Sequence, residues 1–156
     1  MHKRTLTKEQ KFAIIIASVV VILVYLVLGW TESNKYCHTI TSNWGITVPN
    51  TYKEVVSMDS GASFHGDGIR YHVFYYKKVP NFSEDLKWAF NEGETLSQKT
   101  YSEASEEWLD EILVPAEQRP NYEKVTYIYK SQSDGSELIL MWDSAASRLY
   151  IVEFFM

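Results

Sequence analysis

Leu138-Ile139-Leu140-Met141-Trp142 and Leu149-Tyr150-Ile151-Val152 decide the fold. In both runs the apolar residues stand at successive positions rather than at every second one, so each reads as a strand that needs cover on both faces. Residues 143–147 make a loose turn between strands over about 137–142 and 148–155. A third strand, about 124–130, leads in through Asp134-Gly135, whose glycine supplies the positive φ of a tight hairpin turn. The three strands form an antiparallel meander, and its last two members are central.

Upstream, Ile69, Tyr71, Val73 and Tyr75 alternate with Arg70, His72, Phe74 and Tyr76, the period of a strand with one face on a core. Weaker extended pieces are expected at 45–48, closed by Pro49-Asn50, and at 54–58. Two helices separate this half from the meander. The first follows Asn81, a cap with Glu84 three residues on; Phe82, Leu86, Ala89 and Phe90 recur at helical spacing, and Gly93 ends it. The second runs from Thr100 or Ser102 to Leu113, with Ala104, Trp108, Leu109, Ile112 and Leu113 on one side and acids in its first turns, and Pro115 stops it. The fold class is therefore α+β: an antiparallel sheet of four or five strands with two helices packed on it.

Ahead of this domain, residues 12–30 read FAIIIASVVVILVYLVLGW, nineteen residues without a charge. As a helix they span about 28 Å, close to the thickness of the hydrocarbon core of a bilayer. Tyr25 and Trp30 sit toward the end where amphipathic rings favour the interface. The segment before it carries Lys3, Arg4, Lys8 and Lys11 against Glu9, whereas the remainder of the chain holds 11 basic and 19 acidic side chains. Basic flanks stay cytoplasmic. The expected organisation is thus a cytoplasmic tail (1–11), a single-pass transmembrane helix (12–30), a polar tether (31–43) and an extracytoplasmic domain (44–156). A cleaved signal peptide is the rival, with Val27-Leu28-Gly29 as its cleavage site, but the apolar run exceeds the usual length of a signal core. Acylation after Gly29 is excluded because Trp30 follows it.

The 126 residues beyond Trp30 fit one domain. With 15% aromatic and 46% apolar residues the chain builds a core without disulfide help. Cys37 is the only cysteine, so no intramolecular bridge forms; a semi-exposed thiol without a role is expected, with cross-linking of two chains the alternative. A negative outer domain repels phosphates, which disfavours nucleic acid.

Phe64-His65-Gly66-Asp67-Gly68 is the most suggestive local cluster: two glycines free the backbone and present an imidazole beside a carboxyl group, a set able to bind a cation or move a proton. The competing account is a tight turn into the strand at Ile69, with glycine for positive φ and Asp67 for a turn hydrogen bond. His38 and His72 add no zinc spacing, so no metal is assigned. Among the acids on or near strands, Asp59, Asp67, Asp143 and Glu153, the last is distinguished by its apolar neighbours Ile151, Val152, Phe154 and Phe155. Such an acid lies on a solvated edge, pairs with a base such as Arg148 or Lys124, or belongs to a site. The candidate binding residues are accordingly His65, Asp67 and Glu153. No nucleophile elbow, phosphate loop or metal-ligand helix supports catalysis, and no cofactor is implied.

The Phe-His-Gly-Asp-Gly loop followed by an aromatic-rich strand, together with Leu149-Tyr150-Ile151-Val152-Glu153-Phe154, resembles a family of small uncharacterised lipoproteins and membrane proteins of Gram-positive bacteria. The resemblance covers about 45–156. It implies a cell-surface location, with a plain helix here where relatives carry a lipid, and no reaction. The expected function is a membrane-anchored extracytoplasmic binding or interaction protein, held in the bilayer through 12–30 and meeting an envelope protein or small molecule. The alternative is an envelope enzyme or metal-dependent module using His65 and Asp67.

Overall fold

A computed structural model of the chain describes residues 7–33, 35–61, 67–80 and 100–156. The C-terminal runs lie side by side. β4 (Glu137–Asp143) pairs antiparallel with β5 (Arg148–Phe155), placing Leu140 opposite Ile151 and Met141 opposite Tyr150. Outward from this pair stand β3 (Thr126–Ser131) beside β4, and β2 (Gly68–Tyr75) then β1 (Lys53–Asp59) beside β5. The order β1-β2-β5-β4-β3 is antiparallel throughout, so the last strand in chain order occupies the middle.

Alternation sorts the sheet into two apolar faces, and a helix covers each. One helix, Tyr101–Glu111, opens on Thr100 in a capping box with Glu103 and lays Ala104, Trp108 and Leu109 against Ile69, Tyr71, Val73, Met141 and Val152. On the opposite face a nine-residue helix, Tyr36–Trp44, sets Cys37, Ile40 and Trp44 against Phe74, Leu140, Leu149 and Ile151. In chain order the described α-helices are α1 (Lys8–Ser33), α2 (Tyr36–Trp44) and α3 (Tyr101–Glu111). Both central strands are buried along nearly their whole length, as two-sided cover requires.

Three expectations are corrected here. Residues 31–43 are not a polar tether: α1 continues to Ser33 and α2 begins at Tyr36. Helical spacing of Cys37, Ile40 and Trp44 gives the segment one apolar stripe, and burying that stripe outweighs the weak helix propensity of Thr39, Thr41, Ser42 and Asn43. Residues 45–48 form no strand; Gly45 turns the chain out of α2 with φ +67, its N–H bonded to the carbonyl of Thr41 at 2.9 Å, and Val48 fills the core unpaired. Leu113 does not join the buried side of α3. It adopts the left-handed conformation (φ 57) just beyond the helix, where Val114 N–H reaches back to Leu109 at 2.9 Å, and this turns its side chain outward to 82% exposure. The helix expected after Asn81 lies outside the described residues.

At the N-terminus α1 is the one described helix long and apolar enough to cross a membrane, with mean hydropathy 2.4 over Lys8–Val27 and none of that window buried.

Candidate functional site

Strand alternation points Arg70, His72 and Phe74 of β2 and Glu153 of β5 toward α2, and register sets Arg70 directly opposite Glu153. Glu153 is fully buried. Its carboxyl group accepts a hydrogen bond at Oε1 from the indole N–H of Trp44, 2.6 Å away, and at Oε2 from the hydroxyl of Tyr36. Tyr36 and Trp44 are the first and last residues of α2, so one carboxyl group holds both ends of the helix. The Tyr36 hydroxyl also receives a hydrogen bond from Arg70, whose guanidinium rests 4.5 Å from the centre of the Phe155 ring. Burial first, then the neighbouring Glu153, pushes the Tyr36 phenol well above its ordinary value, which keeps it a donor.

The ring of Tyr36 stacks on His72 with centroids 3.4 Å apart, and His72 Nδ1 lies 2.5 Å from Oε1 of Glu54 on β1. Burial dominates at this imidazole and lowers its pKa, although Glu54 and Glu153 both pull the other way. Four elements therefore meet in one polar cluster, buried at Trp44, His72 and Glu153 and reaching solvent at Glu54: α2 through Tyr36 and Trp44, β1 through Glu54, β2 through Arg70 and His72, and β5 through Glu153. Around it α2 is fixed further: Cys37 N–H donates to the Tyr52 hydroxyl at 3.2 Å, Gln132 donates to Asn43 O at 2.6 Å, and the Lys130 ammonium donates to Trp44 O.

Of the residues singled out in the sequence, Glu153 lies at the centre of this cluster, Asp67 is exposed, and His65 is outside the described residues. Asp67 and Glu153 thus occupy different environments, one in water and one in the core. The partners of Glu153 are not Arg148 or Lys124 on an edge but Tyr36 and Trp44, 117 and 109 residues away in sequence. Sequence reasoning missed Tyr36, Trp44, Arg70, His72 and Glu54. The signal for the first two was present in their helical spacing with Ile40; nothing local connects them to β5.

The described ends of the connection before β2, 59–61 and 67–69, are tightly constrained. Gly68 has φ +140, and a Cβ there would collide with Ser60 Oγ, which already accepts the N–H of Ile69 at 3.0 Å. Gly61 N–H bonds Asp59 Oδ1 at 2.7 Å in the same connection. On the α3 side an open cleft of about 650 Å³ is lined by Glu106, Arg119, Asn121, Tyr122 and Glu123, but Arg119 is committed to Val114 O, Glu106 and Asp110 at 2.7–2.9 Å. Among the described residues no group of three or more His, Cys, Asp or Glu side chains is placed to hold a metal ion.

Comparison with family models, with curated proteins and with solved structures finds no match. The chemistry of the cluster therefore has to be taken on its own terms. A buried carboxyl group with two donors from a single helix has no oxygen turned toward an open cavity, and what it does is fasten α2 to the sheet.

Proposed function

We propose that this chain is a membrane-anchored interaction protein whose domain lies outside the cytoplasm and is presented directly at the bilayer surface to an envelope partner. One observation carries the reading: α1 is separated from α2 by only two residues, and α2 is part of the domain's core. Two residues reach at most about 7 Å. A domain joined so closely to an apolar helix, none of whose Lys8–Val27 side chains is buried, works at the membrane surface rather than at the end of a mobile leash. Lys3, Arg4, Lys8 and Lys11 place the short N-terminal segment inside by the positive-inside bias, which sends the acidic domain outward.

The test is protease added to intact spheroplasts expressing the full chain with an N-terminal tag. Digestion of the domain with a tagged fragment protected, in membranes that resist alkaline extraction, is the expected result. Protection of the domain, or a mature chain that has lost residues before Trp30, overturns the reading.

A further inference from the structure

His72 is an imidazole buried at the point where the domain meets the helix that follows α1. It lies mid-strand in β2, opposite Ser57 of β1 and Ile151 of β5. The charged and titratable groups around it come from each element packed there: Glu54 from β1, Arg70 from β2 itself, Glu153 from β5 and Tyr36 from α2. Its lid is the Tyr36 ring, 3.4 Å above it, and Tyr36 is the residue with which α2 begins. The first turn of α2 has no cap of its own, since Lys35 at the N-cap makes no side-chain bond to the helix. That turn is held by tertiary contacts, the stack on His72 and the bond to Glu153 among them.

We propose that His72 and Tyr36 form a proton-operated latch: uptake of a proton by the imidazole releases the first turn of α2, and with it the junction between domain and α1. An imidazolium donates from both ring nitrogens; Glu54 accepts at Nδ1, and among the described residues none accepts at Nε2, so the charged ring needs water there. Glu54, 37% exposed on the edge strand, leads to solvent on the Nδ1 side, but Tyr36 covers the face of the ring; swinging that ring aside admits water to the charged imidazole and takes the Tyr36 hydroxyl from Glu153 Oε2. The last turn stays in place because Trp44 keeps Glu153 Oε1, and Gln132 and Lys130 keep the carbonyls of Asn43 and Trp44. The direction follows from burial, which lowers the imidazole's pKa from 6.5 in the docked form. The docked form therefore has its full stability above that ordinary value and loses it as pH falls through the lowered one. The latch stands whether or not α1 lies in a bilayer, so it goes beyond the anchoring proposal and fails or survives separately from it.

The experiment is hydrogen–deuterium exchange on the full chain in detergent micelles from about pH 7.5 down to about pH 5, the range in which imidazoles change charge, corrected for intrinsic exchange rates. Amides of 36–40 should open faster as pH falls, by up to about tenfold per pH unit, while 137–143 keep their protection. His72→Phe, which keeps an aromatic ring under Tyr36, should abolish the dependence; His72→Gln serves where the larger ring is not accommodated. His38 is the other imidazole on α2 and is exposed, and His38→Gln should leave the response intact. A parent protein with no pH response at 36–40 overturns the latch. So does a response that persists in both His72 variants, disappears in His38→Gln, or spreads equally to β4.

Discussion

The indole N–H of Trp44 stands 2.6 Å from Oε1 of Glu153, so the last residue of α2 is bonded to the strand at the middle of the sheet. Because Tyr36 takes the other oxygen, losing the carboxyl group strands the Trp44 N–H in the core and takes the acceptor from the part-buried Tyr36 hydroxyl. Each buried unsatisfied polar group costs about 1–3 kcal/mol. Glu153→Ala should therefore destabilise the full chain by roughly 2–5 kcal/mol in a thermal or urea melt. Glu153→Gln, which keeps one acceptor of the same shape, should lose less than half as much. An alanine variant within about 0.5 kcal/mol of the parent would show that the cluster does not hold the fold.

Gly68 and Asp67 adjoin in sequence but should respond oppositely. At Gly68 a side chain meets both a backbone of φ +140 and the Ser60 hydroxyl, so Gly68→Val should cost at least about 2 kcal/mol. Asp67 is exposed, and Asp67→Asn should stay within about 0.5 kcal/mol. Paired melts decide the matter: a Gly68→Val variant as stable as the parent would sink the structural turn and raise the His65–Asp67 loop as a binding site.

Cys37 is 2% exposed, and burial raises its thiol pKa above the ordinary value. The semi-exposed thiol expected from the sequence is thus replaced by a sealed one. A disulfide-exchange reagent at neutral pH should modify the native chain on the order of a hundredfold more slowly than the urea-unfolded chain. Comparable rates would place the thiol at the surface.

A truncation ending at Ser147 should abolish cooperative melting. It removes Leu149, Tyr150, Ile151 and Val152, all buried, and parts the β1–β2 hairpin from the β3–β4 hairpin. At about 1.5–3 kcal/mol for each large apolar side chain, the loss reaches the usual stability margin of about 5–15 kcal/mol. An unchanged cooperative melt in the truncated chain would refute β5 as the central strand.

What could be read from the sequence divides along physical lines. The meander, β2 and α3 were legible because their signals are local: continuous apolar runs, strict alternation, and apolar residues at helical spacing with acids in the first turns and Pro115 as a stop. Strands near 124–130 and 54–58 appear within a residue or two as β3 and β1. α2 was not legible as structure because four of its nine residues are Ser, Thr or Asn, and only contact with a distant sheet makes its apolar stripe worth a helix. Glu153 drew attention through its apolar neighbours, yet its partners come from another part of the chain, and pairing of that kind has no short-range trace.

Placing β5 between β2 and β4 has a consequence for biosynthesis. β5 follows every other strand in chain order, and its partner β2 lies some eighty residues upstream, with Gly68 paired to Phe155. While the ribosome is still making the chain, two hairpins exist without a shared neighbour, and α2 waits beside α1 without the carboxyl group that fastens it. Loop-closure entropy makes such a late, distant pairing slow. The unfinished domain exposes β2 and β4 edges until then, so the interval before β5 docks is when non-native edge pairing competes with the native fold.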